Sequence, residues 1–120
     1  MFPAMIATTE ERPWGRFTTV LDSDRFKVKT IEILPKQRLS LQSHSYRSEH
    51  WVLVEGSATA LVDGQESQME EGSYIYIPKG SQHRLTNPHE SNVTVLIEVQ
   101  YGSQVSETDI WRYEDDYFRA

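Results

Sequence analysis

The side chains of this chain that could bind a metal ion are limited, because it contains no cysteine. Histidines, carboxylates and amides are therefore the groups available to ligate a divalent cation. Gln42 and His44 lie two residues apart, so in a strand both side chains would point to one face. His83 follows a strand-like run and a turn. Taken alone, each histidine is equally explained by a hydrogen-bonded structural role, so residue type and spacing leave both interpretations open.

The segment that leads to His83 combines a short strand, a tight turn and the start of another strand. Tyr74–Ile77 are β-branched or aromatic residues that fit a pleated surface, and the three residues that follow are turn formers. The spacing matches the second motif of the cupin family in every defined position, which here are Gly72, Pro78, Gly80, His83 and Asn87. This resemblance implies a small double-stranded β-barrel in which His83 points inward to a metal ion.

The first cupin motif is found from Glu49, which is followed by six residues and then Gly56. In that register His44 takes the place of the motif's second histidine, and Gln42 takes the place of the first. The resemblance therefore implies the ligand set Gln42, His44, Glu49 and His83, which is similar to the zinc site of phosphomannose isomerases. One carboxylate and three neutral ligands suit zinc, and would also accept Mn²⁺, Fe²⁺, Co²⁺ or Ni²⁺.

A wider resemblance, from Arg12 to about Arg119, is to the C-terminal isomerase domain of type II phosphomannose isomerases, which are usually fused to a mannose-1-phosphate guanylyltransferase. The segments that carry it include residues 12–15, 39–42, 47–51, 83–85 and 109–117. It implies a stand-alone mannose-6-phosphate isomerase, which would interconvert mannose 6-phosphate and fructose 6-phosphate by an enediolate proton transfer. The small-molecule partner would then be a sugar phosphate.

Such a reaction requires a base for the C–H proton and cations for the phosphate, besides the metal ion. Glu98 lies on the mixed face of residues 93–100 and is the candidate base, or else a structural partner of Lys29 or Arg84. Lys27 and Lys29 share one strand face and form either a phosphate clamp or a solvated strand end. The resemblance also favours Arg84, although alternation after His83 aims it outward. The predicted catalytic residues are Glu98, Arg84 and Lys29, and Arg47 and Arg112 are weaker phosphate ligands.

Two other functions fit the same constellation. A cupin fold hosts many activities, so the chain could be a non-catalytic, metal-containing domain that binds a sugar or a sugar phosphate. An iron-dependent dioxygenase is the other alternative, but such sites usually offer more histidine than this one, in which Gln42 replaces it.

The elements that must position these residues are short strand-like runs, separated by Asp, Gly, Pro or Ser every eight to twelve residues. This pattern predicts an all-β domain over residues 12–120, a cupin double-stranded β-helix or jelly-roll barrel, after a flexible lead-in over residues 1–11. Asp63 and Gly64 predict a two-residue hairpin turn. Ser106 and Asp109 have the spacing of a capping box and predict a short C-terminal helical turn.

The net charge and the lack of a long apolar run limit the binding partners and the cellular location that we expect. The chain has 120 residues, a net charge of −6 and a pI near 5.1, which argues against nucleic-acid binding. No apolar run approaches the roughly 20 residues needed to cross a bilayer, and the N-terminus does not read as a signal peptide. We therefore expect a cytoplasmic protein with no membrane partner. A homodimer is expected because cupins often pair barrels through an edge sheet.

Overall fold

The computed structural model describes residues 4–119, and this part of the chain forms eleven strands and no helix. The strands are β1 Ala4–Arg12, β2 Gly15–Asp22, β3 Phe26–Ile33, β4 Leu41–Ser43, β5 Arg47–Glu55, β6 Ala58–Val62, β7 Gln65–Met69, β8 Tyr74–Ile77, β9 His83–Thr86, β10 Thr94–Gly102 and β11 Trp111–Glu114. They build two antiparallel sheets, with strand orders β1-β2-β3-β10-β5-β8 and β11-β4-β9-β6-β7. The all-β prediction is confirmed.

Among the described residues, none forms a helix that could span a membrane.

The core lies between the two sheets and consists of one cluster of buried apolar side chains. Its members are Trp14, Phe17, Ile31, Ile33, Trp51, Leu53, Ala58, Ala60, Met69, Ile77, Leu85 and Leu96. Burying one large apolar side chain contributes about 1.5–3 kcal/mol relative to leaving it exposed. Trp14 is 5% exposed and lies in the turn between β1 and β2, where it covers one end of the core.

The inner face of the larger sheet changes from apolar to polar along its strands. Ile31 lies opposite Leu96, whereas two residues further along the ladder Lys29 lies opposite Glu98. On the other side of β10, Glu98 lies opposite Trp51 and Gln100 lies opposite Glu49. The barrel therefore has an apolar end that stabilises it and a polar end where buried charged groups collect.

Two local expectations are corrected by the structure. The lead-in was expected to be flexible, but Ala4–Arg12 form β1 and pair with β2, where the hydroxyls of Thr9 and Thr18 are 2.9 Å apart. Residues 1–3 lie outside the described residues. The predicted C-terminal helical turn is also wrong, because β11 pairs with β4 in its place. The hairpin turn is confirmed, with φ values of 47° at Asp63 and 83° at Gly64.

Asn87, the last position of the second cupin motif, has a structural role. It is fully buried, its Nδ2 donates to the carbonyls of Ile33 and Asn92, and its Oδ1 accepts from the His89 amide. We expect Asn87→Ala to lower the free energy of unfolding by about 3 kcal/mol, because several buried polar groups lose their partner. Urea denaturation measures this. Asn92→Ala, which truncates an exposed side chain, is the matched control and should cost less than about 0.5 kcal/mol.

Candidate metal centre

Three of the four predicted ligands come together at the polar end of the barrel. His44 follows β4 directly, Glu49 lies in β5 and His83 opens β9. One ligand atom from each lies within 4.8 Å of the others. Glu49 Oε2 is 3.0 Å from His44 Nε2, and Glu49 Oε1 is 3.7 Å from His83 Nε2. All three side chains are buried, so this cluster can hold a metal ion.

Backbone carbonyls orient both imidazole rings. His44 Nδ1 donates to the Asp109 carbonyl at 2.7 Å, and His83 Nδ1 donates to the Ser81 carbonyl at 3.0 Å. Each ring therefore carries its proton on Nδ1 and turns an Nε2 lone pair toward Glu49. This is the usual arrangement behind a metal-binding histidine, whose other nitrogen is fixed by an outer hydrogen bond.

The protonation states also suit a metal ion. Burial alone would raise the pKa of Glu49, but its contacts with His44, His83 and the Arg47 guanidinium hold that pKa well below its usual range. Burial lowers the pKa of His83, and the Glu49 carboxylate only partly offsets this. Glu49 is further held by the Trp51 Nε1–H at 3.0 Å. A carboxylate and neutral imidazoles are the forms that ligate metals.

Gln42 lies next to this cluster, opposite His83 in the pairing of β4 with β9. Its Nε2 donates to the Ser40 hydroxyl at 3.0 Å, so the amide nitrogen is engaged and the amide oxygen is the atom of ligand type. The side chain lines the same pocket as Glu49 and His83. Its role as a fourth ligand stays a prediction.

The cluster opens into a pocket of about 800 Å³, including its open mouth. Its cationic side chains are Arg12, Lys29, Arg47, Arg84, Arg112 and Arg119, and its carboxylates are Glu49, Glu98 and Glu107. The lining thus holds six cationic side chains and three carboxylates, in a chain whose net charge is −6. Glu10, Glu114 and Asp115 pair with three of these cations from outside the lining.

The predicted lysine clamp is occupied by a carboxylate of the chain itself. Lys29 Nζ donates to Glu107 Oε1 at 2.6 Å and lies 4.0 Å from the centre of the Phe17 ring. Lys27 Nζ is 3.5 Å from Glu107 Oε2. Both lysines are buried, so a solvated strand end is ruled out for them. Lys29 and Lys27 are thus neutralised in part by a residue 78 or 80 positions away.

Arg84 is buried rather than turned outward to solvent. Its Nε donates to the Leu39 carbonyl at 2.9 Å, and one terminal nitrogen lies 3.0 Å from Glu114 Oε1. The side chain lines the pocket and also ties β9 to β11. The catalytic roles expected for Glu98, Arg84 and Lys29 stay predictions.

Glu98 is a buried carboxyl group with a strongly shifted pKa. Burial, the nearby Glu49 charge and a hydrogen bond with Glu49 raise its pKa to about 8, while Lys29 and Arg47 oppose the rise. Gln100 Nε2 donates to its Oε1 at 2.6 Å. Glu98 is therefore mostly neutral at pH 7 in the folded protein.

This shift predicts a pH-dependent stability. The folded-state pKa of Glu98 lies above the unfolded value of about 4.3, so its contribution is fully present below about pH 4 and is lost progressively as pH rises from there to about 8. We expect Glu98→Gln, with chelator present, to match wild type near pH 4 and to exceed it by more than about 1 kcal/mol at pH 8.5. Urea denaturation at both pH values measures this. A constant difference across the pH range would contradict the assignment.

Several residues in or near the pocket were not assigned a role in the site from the sequence. Asp109 was interpreted as a helix cap, yet its carboxylate accepts from the Ser45 and Tyr46 amides. Arg12 lies within a segment that was noted for its resemblance and its tryptophan, and Arg119 marks the end of the wider resemblance. Glu107 gave no local signal, because its lysine partners lie in β3.

Three arginines gather at one side of the pocket. Burial lowers the pKa of Arg112, the charges of Arg119 and Arg12 lower it further, and Asp115 opposes them. Both guanidinium nitrogens of Arg119 that face Asp115 lie 2.9 Å from its oxygens. Arg12 lies over the Phe17 ring at 5.0 Å. Arg12 also pairs with Glu10 at 3.2 Å. We call Arg12, Arg112 and Arg119 the arginine cluster, because it brings three guanidinium groups to one side of the pocket.

Comparison with known proteins places these features in a family context. Residues 4–115 match the family model described as "Mannose-6-phosphate isomerase C-terminal". Mannose-1-phosphate guanylyltransferase of Escherichia coli is 43% identical over 109 residues, which are 91% of this chain and 23% of that protein. Alginate biosynthesis protein AlgA of Pseudomonas aeruginosa is 45% identical over 109 residues, which are 91% of this chain and 22% of that protein. The chain thus spans about a fifth of the length of these relatives.

The fold is that of a cupin. An RmlC-like cupin from Shewanella frigidimarina superposes with a TM-score of 0.77 at 16% identity, covering 90% of this chain and 98% of the other. At this identity the likeness concerns the fold alone.

The names of the relatives correct the expected activity. The sequence predicted a mannose-6-phosphate isomerase, but the relatives at 42–43% identity are named mannose-1-phosphate guanylyltransferases. That prediction is therefore wrong. The motifs specify a barrel and its buried polar residues, which related proteins with other named activities share, so they do not specify a reaction.

Proposed function

The chain belongs to the mannose-6-phosphate isomerase C-terminal family, and on that premise we propose that its pocket binds a divalent metal ion together with a mannose phosphate. The observation that carries this proposal is the pocket itself. It joins a buried His–Glu–His cluster to six cationic side chains, within a chain whose net charge is −6. A concentration of positive charge in one cleft of an acidic protein favours a small anionic ligand.

The metal ion would be held by His44, Glu49 and His83, with Gln42 as a fourth ligand. Two imidazoles and one carboxylate are a common zinc donor set, and we propose zinc, with Mn²⁺, Fe²⁺, Co²⁺ or Ni²⁺ as replacements. The outer hydrogen bonds of both histidines and of Glu49 support this assignment, because they fix the ligand atoms toward one point. When bound, the metal ion supplies a Lewis acid for sugar oxygens.

The phosphate would bind at the arginine cluster rather than at Lys27 and Lys29. A guanidinium fork matches phosphate oxygens in two parallel hydrogen bonds, which makes arginine suited to phosphate recognition. Burial is the main cause of the lowered pKa of Arg112, and a bound dianion would offset the further lowering by the charges of Arg119 and Arg12. Lys27 and Lys29 share the Glu107 carboxylate, and Arg119 and Arg12 also have carboxylate partners, so the guanidinium geometry decides between the two sites.

The sugar is assigned from the relatives. The name of the Escherichia coli relative refers to mannose 1-phosphate, and the family name refers to mannose 6-phosphate. Both compounds join a mannose ring, with several hydroxyls for the metal ion and Glu98, to one phosphate for the arginine cluster. The pocket walls include Trp14, Phe17 and Trp51, which offer apolar and aromatic surface to a sugar ring.

Titration calorimetry with the zinc-loaded chain tests the proposal. We expect mannose 1-phosphate or mannose 6-phosphate to bind more tightly than mannose or inorganic phosphate, because only the phosphorylated sugar contacts both ends of the pocket. Glucose 6-phosphate is the matched control for the sugar. If none of these compounds binds to a protein that does hold zinc, the ligand part of the proposal fails while the metal part stands.

A further inference from the structure

The C-terminal segment, residues 103–119, runs across the metal centre and contributes to the pocket. We propose that Asp109 is a positioning residue of this centre, and that the segment couples metal binding to binding of the sugar phosphate. The proposal deepens the proposed function and rests on it. Its physical basis is that one segment contacts the metal ligands and also carries two residues of the arginine cluster.

Asp109 makes two kinds of contact with the loop that bears His44. Its backbone carbonyl accepts from His44 Nδ1 at 2.7 Å, so it sets the tautomer and the direction of the ring. Its carboxylate accepts from the backbone amides of Ser45 at 2.8 Å and Tyr46 at 2.9 Å. Asp109 is 8% exposed. The Asp109 carboxylate therefore holds the Asp109 backbone against the His44 loop. The Asp109 carbonyl, fixed in this way, then orients the His44 ring.

Other parts of the segment hold the same loop. Trp111 Nε1 donates to the Ser45 hydroxyl at 3.1 Å, and the hydroxyls of Tyr113 and Ser43 are 2.8 Å apart. Strand β11 pairs with β4, and this pairing sets Arg112 opposite Gln42. The backbone on which Arg112 is mounted is thus directly hydrogen-bonded to the strand that leads to the metal ligands.

Contacts on the other side of the centre add to this arrangement. Arg47 donates to the Ser106 carbonyl at 3.1 Å and to Glu49 Oε2 at 3.1 Å, so it bridges the segment and a metal ligand. Glu107 pairs with Lys29 in β3. The C-terminal segment is therefore linked to the metal ligands twice, through Asp109 to His44 and through Arg47 to Glu49.

The segment has many polar contacts and few apolar ones. Val105 is buried and Tyr117 packs against the core, whereas Trp111, Tyr113 and Phe118 are 62%, 51% and 96% exposed. Elements with few buried apolar contacts belong to the less stable parts of a fold and respond most to binding. A metal ion that fixes His44 would favour the docked segment, and by linkage the docked segment would favour both the metal ion and the phosphate.

The first test measures zinc affinity by competition with a chromophoric chelator. We expect Asp109→Asn to lower it by about 10-fold, the lower end of the range for losing an outer partner, because the carbonyl that accepts from His44 remains but is held less firmly. Asparagine keeps the shape but leaves one of the two loop amides without an acceptor. Glu71→Gln is the matched control, since Glu71 also accepts from a backbone amide, that of Gly56, and is not among the residues that line the pocket. We expect its zinc affinity to equal that of wild type.

The second test measures the coupling itself. The ratio of mannose 1-phosphate dissociation constants without and with zinc should be well above one in wild type and should fall toward one in Asp109→Asn. Hydrogen exchange of the wild-type protein provides a readout that needs no variant: zinc should slow exchange of the Ser45 and Tyr46 amides and of the backbone within residues 103–119.

These outcomes separate the inference from the proposed function. A wild-type protein that binds neither zinc nor sugar phosphate overturns the proposed function. A wild-type protein that binds both, with unchanged zinc affinity in Asp109→Asn or with no zinc effect on exchange in residues 103–119, overturns the inference alone. If Asp109→Asn does not fold, the wild-type exchange measurement decides between the two results.

Discussion

Replacing His83 by alanine should lower the affinity for zinc by more than about 100-fold, because even outer-shell changes cost 10- to 100-fold and this change removes a ligand. The His83 ring is 3% exposed and its Nε2 faces Glu49 at 3.7 Å. No other imidazole among the described residues is positioned to replace it in the cluster. Chelator competition and metal analysis of the purified variant both measure the loss.

His50→Ala is the control for this change, because it removes an imidazole one residue from Glu49 but on the opposite face of β5. His50 contacts Tyr74 and Tyr76, away from the pocket. Its variant should retain the wild-type zinc affinity. Equal zinc binding by His83→Ala and wild type would show that the metal ion is held elsewhere.

Replacing Arg112 by methionine should lower the affinity for mannose 1-phosphate by about 10- to 100-fold. A hydrogen bond to a charged group is worth about 1.5–3 kcal/mol, and each 1.4 kcal/mol is tenfold in affinity. Methionine keeps the length of the apolar stem, so the loss reports the guanidinium group. Titration calorimetry in zinc-loaded protein measures it, and the zinc affinity itself is expected to change much less.

Arg38→Met is the matched control, since it removes a guanidinium that also contacts the C-terminal segment but does not line the pocket. Arg38 pairs with Asp116 at 2.7 Å, and both side chains are more than 40% exposed. Exposed pairs contribute at most about 1 kcal/mol, so stability and ligand affinity should change little. If Arg38→Met weakened the ligand as much as Arg112→Met, the effect would come from the segment's position and not from a phosphate contact.

Three residues of the metal centre could be predicted because their spacing resembles the two cupin motifs. In the sequence, Glu49 lies seven positions before Gly56, and His83 follows Pro78 and Gly80 at the motif's spacing. The structure brings both side chains together with His44. The all-β fold was predicted from the Asp, Gly, Pro and Ser residues that separate short strand-like runs. Gln42 was placed by register, and its pairing opposite His83 agrees with that register.

The parts that could not be predicted depend on contacts between distant segments. Glu107 reaches the lysines of β3 from 78 and 80 positions away, and no local pattern reports such a pair. Asp109 has the type and spacing of a helix cap, but amides of the His44 loop compete successfully for its carboxylate. Residues 1–11 were expected to be flexible. In the structure, β1 pairs with β2, and a contact of this kind is not visible in the sequence of the lead-in itself.

The prediction of isomerase activity was wrong for a different reason. Residues that build the barrel and its metal centre are shared by proteins whose names describe other activities, so their spacing reports the site and not the reaction. The homodimer and the cytoplasmic location inferred from the sequence stay predictions.

A crystal structure of the zinc-loaded protein with mannose 1-phosphate, recorded at the zinc absorption edge, tests the central claim most directly. We expect one anomalous peak about 2.0–2.2 Å from Nε2 of His44 and His83 and from a Glu49 oxygen, the usual zinc ligand distances. The phosphate should lie among Arg12, Arg112 and Arg119. An anomalous peak away from these three ligands, or a phosphate bound outside this pocket, would contradict the account.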